Sequence, residues 1–211
     1  AESIAQDNDD ISDILARVLA ARDVPSDAVG AYLNPTIRDL LPDPSHLTEM
    51  DAAAERLANA IQARETIAIF GDYDVDGATS SAILWRFFNA FGLEPEIYIP
   101  DRIFEGYGPN AVAIRELHAK GHSLLVTVDC GSTSIEALEE AARLGMDVVV
   151  LDHHQLGTQL PVAKAHVNPN RQDDLSGQGH LCAAGVVFLA CVATARNLRR
   201  ANVVIPSSFN L

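Results

Sequence analysis

The run Val148-Val149-Val150-Leu151 is apolar at four consecutive positions. Successive side chains of a strand point to opposite faces of a sheet, so a strand of this composition has to be covered on both sides. Similar short runs at 66–70, 96–99 and 124–128 alternate with helical patterns near 78–91, 110–120 and 134–144. That rhythm predicts βα units. The expected fold is an α/β, Rossmann-like three-layer domain on a mainly parallel sheet of about five strands, with 165–168 adding a strand and 181–198 a long, mostly buried helix. Residues 1–63 carry helix and turn signals instead. Ser12 can cap a helix reaching Arg22, Pro25, Pro35, Pro42 and Pro44 punctuate the stretch after it, and 50–63 is amphipathic with Ala54, Leu57 and Ile61 on one face. The expected organisation is a helical segment at 1–63 and an α/β domain at 64–211.

The residues just past each strand matter for chemistry, because ligands of parallel sheets sit beyond the strands' carboxyl ends. Asp72-Tyr73-Asp74-Val75-Asp76-Gly77 comes after the first run, Asp129 after the third, and Asp152-His153-His154 after the fourth. Any one of these residues alone reads as a solvated loop acid or a satisfied histidine. Three strand ends delivering such groups to one rim read as a metal site, and oxygen and nitrogen donors suit Mg²⁺ or Mn²⁺. An EF-hand fails because its twelfth position, counted from Asp72, is Ile83. The segment Asp74 to Thr79 also matches the opening of haloacid-dehalogenase-like phosphatases, with Asp74 as nucleophile, but that reading gives no reason for Asp-His-His after a strand.

Composition sets bounds on partners. With 211 residues, 48% of them hydrophobic, the chain can bury a sizeable core, and its longest apolar stretch, 181–193, is too short to span a bilayer. No membrane partner is expected. Cys130, Cys182 and Cys191 lack metal-ligand spacing and fit a reducing, cytoplasmic setting, with Cys130 as a small buried thiol. The net charge of −14 works against a broad basic groove for nucleic acid. Divalent ions would offset part of it, and Glu2, Asp7, Asp9 and Asp10 are expected on a mobile tail. The start at Ala1 and the stop at Leu211 after a Pro-Ser-Ser loop read as those of a fragment.

The strings GDYDVDGATS (71–80), RIFEGYG (102–108), VTVDCG (126–131), LDHH (151–154) and HVNPNR (166–171), in this order and spacing, resemble the DHH phosphoesterases, and among them the RecJ-type single-strand-specific exonucleases. The resemblance covers roughly 66–200. It implies a 5′-to-3′ exonuclease on single-stranded DNA, acting in DNA repair with possible repair-protein partners, and using one or two Mn²⁺ or Mg²⁺ ions. A pair of ions needs a shared carboxylate, which suits Asp129 at the tip of a central strand. Asp74 and Asp76, on alternate positions of a tight turn allowed by Gly71 and Gly77, would each reach a different ion, and His153 would be a neutral ligand. Asp152 would orient a neighbouring histidine, and Asp72 would be either an outer-sphere acid, the favoured role, or a ligand. By family analogy His154 faces the scissile phosphate or the leaving oxygen. Arg102 with Gly106, Tyr107 and Gly108 would hold a nucleic-acid phosphate. Asn168, Asn170 and Arg171 would support the metal shell or touch substrate.

Two departures from the family pattern stand out. Many relatives carry a histidine where this chain has Phe70, which would weaken one ion's hold, and the family's last metal-binding aspartate would lie past Leu211. Other DHH chemistry (an oligoribonucleotide or cyclic-dinucleotide phosphodiesterase, or a pyrophosphatase) and a non-catalytic binding module are the alternatives.

Overall fold

A computed structural model of the protein describes residues 2–8 and 10–207, without the side chains of Glu2 and Arg38. The chain divides into two compact units, Ala1–Asp43 and Pro44–Leu211.

The first unit is helical: α1 (Glu2–Asp7), α2 (Asp13–Ala20), α3 (Val29–Leu33) and α4 (Ile37–Leu40). Ser12 caps α2 as expected, its Oγ accepting from Leu15 N at 3.3 Å. Where the sequence suggested a mobile tail, Glu2–Asp7 is a helix instead, because Ile4 is buried with Ala16, Leu19, Val24 and Val29, and Ser26 donates to the Asp7 carboxylate. Asp9 and the Glu2 side chain lie outside the described residues.

The second unit contains α5 (Met50–Ala63), β1 (Ile67–Gly71), α6 (Val75–Ala90), β2 (Glu96–Tyr98), α7 (Ala111–Ala119), β3 (Leu124–Val128), α8 (Ile135–Arg143), β4 (Asp147–Leu151), β5 (Ala165–Val167) and α9 (Ala183–Arg200). The five strands are all parallel, in the order β2-β1-β3-β4-β5. The α/β expectation therefore holds. Alternate strand residues feed two layers: Ile67, Ile69, Val126, Val149 and Val167 pack with α5, α6 and α9, while Ala68, Phe70, Leu125, Val148 and Val150 pack with α7 and α8.

Sequence alone grouped α5 with the lead-in, but α5 belongs to the second unit. Its Ala53, Leu57, Ala60 and Ile61 lie in the same core as α6, α9 and the sheet. Polar links tie it there too, Arg56 reaching Glu65 at 2.7 Å and Asp147 at 2.7 Å. Amphipathicity shows that a helix buries one face, and it does not say against which partner.

Sheet order places β1 between β2 and β3, so the winding direction reverses between β1 and β3, and ligands of such sheets sit beyond the carboxyl ends at that point. Register does the rest. Gly71 pairs with Val128, Val128 with Leu151, and Leu151 with Val167. The next residues, Asp72, Asp129, Asp152 and Asn168, therefore fall in one row, and the ladder continues through Asp129 N to Leu151 O and Asp152 N to Val167 O, both 3.1 Å.

Beneath this row His166 is buried on β5, with Nε2 2.8 Å from Ser132 Oγ and Nδ1 without a partner. Burial, helped by the nearby Arg171 charge, pushes the imidazole down to about 4. In the unfolded chain it titrates near 6.5. Between these values the unfolded state binds the extra proton, so this contribution to stability is complete above pH 6.5 and is lost as pH falls toward 4. Urea unfolding of the wild type should lose about 2 kcal/mol from this source between pH 7 and pH 4.5, and His166→Gln should lack that component. Equal acid slopes for the two proteins would contradict it.

Candidate metal centre

The segment after β1 is a helix start and not the tight turn expected from the two glycines. Asp74 is the N-cap of α6, its Oδ1 accepting from Asp76 N at 2.8 Å and Gly77 N at 3.0 Å. Those bonds, led by Gly77, hold the Asp74 carboxyl below the usual range. Neither Gly71 nor Gly77 needs a left-handed backbone. What excludes a side chain at Gly77 is space, since a Cβ there would stand 2.5 Å from the Asp72 carbonyl oxygen.

Asp129 does take a left-handed backbone, φ 60°, which is uncommon outside glycine and clusters at functional sites. Its carboxylate is 1% exposed, and neither oxygen has a hydrogen-bond partner. Burial first, then the Asp76 and Asp74 charges, push this carboxyl up to about 8. His153 Nε2 faces it at 3.2 Å without hydrogen-bond geometry, and lies 3.5 Å from Asp76 Oδ2. Two groups of donor atoms meet within 4.8 Å of one another, Asp72–Asp74–Asp129 and Asp129–His153–His154, and Asp129 belongs to both. A buried, unpartnered carboxylate ringed by acids and an imidazole is an arrangement that a divalent cation would relieve, so the donor set fits Mn²⁺ or Mg²⁺.

Of the two roles the sequence left to Asp72, outer-sphere acid or ligand, its buried carboxylate is placed for either, since it stands inside this group of donors. Burial raises it above the usual carboxylate range. Asp76 has a second task that the sequence did not reveal. Its two oxygens accept from Ala183 N at 2.7 Å and Ala184 N at 2.8 Å, so it caps α9 from more than a hundred residues away. Phe70, where relatives can have histidine, points into the α7/α8 layer and stacks on Tyr98 at 5.1 Å.

Asp152 braces His154, with Oδ1 2.8 Å from Nδ1. Burial would lift the Asp152 carboxyl, but hydrogen bonds from His154 and Ser132 outweigh it and hold the group well below the usual range. The same bond raises the half-exposed His154 to about 9, against the burial that would lower it.

The 168–171 loop supports this arrangement from behind. Asn168 Nδ2 donates to the His154 carbonyl at 3.0 Å and Asn170 Nδ2 to the His153 carbonyl, so the two amides fix the histidine backbone. Arg171 corrects the substrate-binding expectation. Its side chain is 3% exposed and is spent on Glu49 at 3.0 Å, Asp173 at 2.8 Å and the His166 carbonyl. Arg102, by contrast, stands on the rim with its guanidinium 4.9 Å from the Tyr73 ring centroid. Tyr107, flanked by Gly106 and Gly108, donates to the Asp129 carbonyl at 3.0 Å. Cys130 is buried as expected.

A parallel sheet closed by helices on both faces, with acids and imidazoles converging beyond its carboxyl edge, defines an α/β domain with a candidate divalent-metal centre. The family model of the DHH family N-terminal domain matches residues 66–208, and the chain belongs to the DHH family. It is 39% identical over 146 residues to the single-stranded-DNA-specific exonuclease RecJ of Bacillus subtilis, covering 69% of this chain and 19% of that protein. Against the RecJ of Escherichia coli the figures are 35% over 201 residues, 92% and 34%. The chain thus spans about a third or less of these relatives. Among solved structures, an exonuclease RecJ bound to manganese superposes with TM-score 0.66 at 36% identity, covering 76% of this chain and 40% of that one. RecJ of Thermus thermophilus in complex with Mn²⁺ gives 0.60 at 32% identity, with 76% and 22% covered.

Without divalent ions the crowded Asp129 carboxylate opposes folding, and Asp129→Asn removes its charge while tolerating the left-handed backbone. In metal-free buffer at pH 8 the variant should melt higher than the wild type. Adding Mn²⁺ should raise the wild-type melting temperature and leave the variant's unchanged. A variant that melts lower, or that responds equally to Mn²⁺, would show that no such strain is stored there.

Proposed function

We propose that this chain is the catalytic DHH domain of a metal-dependent phosphodiester hydrolase that removes nucleotides from single-stranded DNA in the 5′-to-3′ direction. The observation that carries this reading is the buried Asp129 carboxylate, unpartnered and shared by two sets of donors at the switch point of the sheet. The RecJ relatives, named as single-stranded-DNA-specific exonucleases and including manganese-bound structures, support the substrate and the cofactor.

In this reading Asp74, Asp76, Asp129 and His153 would hold one or two Mn²⁺ or Mg²⁺ ions, with the Asp72 carboxylate beside them. A divalent cation bound there neutralises phosphate charge and makes water a competent nucleophile at neutral pH. His154, kept protonated by Asp152, offers its Nε2 to the scissile phosphate or the leaving oxygen. Asn168 and Asn170 keep both histidines in place. Arg102, stacked on Tyr73, takes the terminal phosphate, a group that rewards a planar guanidinium. Gly106 and Gly108 shape the loop that carries it.

The net charge of −14 leaves little general attraction for the DNA backbone, so grip on the strand falls to such local contacts. No helix among the described residues is long and apolar enough to cross a membrane. The three free cysteines support a cytoplasmic setting, with repair proteins as the partners.

Hydrolysis of 5′-phosphorylated single-stranded DNA, duplex DNA, short RNA, cyclic dinucleotides and pyrophosphate, each with Mn²⁺, tests the reading. The full-length protein should degrade single-stranded DNA from the 5′ end, this 211-residue chain alone should do so weakly or not at all, and Asp129→Asn in the full-length protein should be folded and inactive. Preferential cleavage of any other substrate, or a fully active Asp129→Asn, would reject it. Arg102→Ala should raise KM for 5′-phosphorylated strands about tenfold, the effect of losing one charge-assisted contact, with little change for 5′-hydroxyl strands.

A further inference from the structure

The loop between β2 and α7 is built to deliver one hydroxyl. Glu105 anchors it, accepting from Tyr98 OH with one oxygen and from Asp101 N at 2.7 Å with the other. Asp101 Oδ1 in turn accepts from Ile103 N at 2.8 Å and Phe104 N at 3.2 Å. Gly106 and Gly108 then take left-handed backbones, φ 83° and 75°, conformations that glycine adopts at no steric cost. Tyr107, between them, keeps a half-exposed ring and points its hydroxyl at the loops after β3 and β4.

The hydroxyl ends on protein. It donates to the Asp129 carbonyl at 3.0 Å, and its oxygen lies 3.3 Å from His154 Nδ1. The two rings meet edge to face, centroids 5.9 Å apart. Nδ1 also stands 2.8 Å from Asp152 Oδ1. The Asp152 carboxylate can only accept, so Nδ1 carries the hydrogen and Nε2 is the nitrogen left for other work.

We propose that Tyr107 is a positioning residue: its hydroxyl holds the left-handed Asp129 main chain and the His154 ring in one arrangement. It links the phosphate-side loop to both halves of the metal centre. Asp129 adopts a backbone that non-glycine residues avoid, and such a conformation persists only where its surroundings over-determine it. The hydrogen bond to its carbonyl is one of those determinants. For His154, Asp152 alone leaves the ring free to tilt about a single bond, and Tyr107 supplies the second contact.

The test uses the 211-residue chain labelled with ¹³C and ¹⁵N, read without metal or substrate, so that this arm is independent of the proposed exonuclease activity. Tyr107→Phe keeps the ring and removes the hydroxyl. The Asp129 carbonyl ¹³C and His154 ring ¹⁵N resonances should both move, with the melting temperature within about 2 °C of wild type. Glu105→Gln, which keeps the hydroxyl and loosens the loop, should move the same resonances by a smaller amount. The second arm rests on the proposed function. On 5′-phosphorylated single-stranded DNA with Mn²⁺, Tyr107→Phe in the full-length protein should lower kcat about tenfold and leave KM within about twofold, as for a misplaced catalytic group. Unmoved resonances in both variants would overturn the proposal. So would a higher KM at unchanged kcat, which would make Tyr107 a substrate contact.

Discussion

Four neighbouring parallel strands end in step, and the residue after each end is polar: Asp72, Asp129, Asp152 and Asn168. Everything else at the site is arranged around the electrostatic cost of that row. Three carboxylates brought out of water on adjacent strands repel one another, and a buried charge is tolerated only where it is paired or hydrogen-bonded.

The protein relieves the row unevenly. Asp152 is satisfied by His154, Ser132 and the His153 and His154 amides. Asp74 caps its own helix, and Asp76 caps α9. Asp72 accepts from the Tyr73 amide. Asp129 alone among these acids is left with two buried, unpartnered oxygens. This unevenness agrees with the proposed function: groups satisfied by protein hold their positions, while the one left unsatisfied is the carboxylate the proposal gives to a cation. The capping bonds also make the centre part of the fold's own framework, since α6 and α9 both begin on acids of the site.

Much of this was legible along the chain. The apolar run Val148 to Leu151 announced a strand buried on both faces, and the alternation with helices announced a parallel sheet, because strand and helix periodicity are local properties of sequence. The positions of Asp72, Asp129 and Asp152 at strand ends followed from the same pattern. Other features were not legible. Asp74 read as part of a turn because two glycines flank the motif, yet a capping carboxylate and a crowded Gly77 account for the segment without unusual torsions. Arg171, in a strand-end loop with Asn168 and Asn170, read as a group that would support the metal shell or touch substrate. Its burial depends on Glu49, a residue far earlier in the chain, which no local pattern connects to it. α5 showed its apolar face and not the sheet that covers it.

By itself, then, the sequence determined the class of fold, the family and which residue types lie near strand ends, because apolar periodicity and short motifs are written along the chain. Tertiary structure alone decided that β1 and β3 become neighbours, that their registers align Asp72, Asp129 and Asp152, and that Asp76 meets α9 and Tyr107 meets Asp129. Those are long-range pairings. They are set by how separate elements pack, where each partner's position depends on all the others.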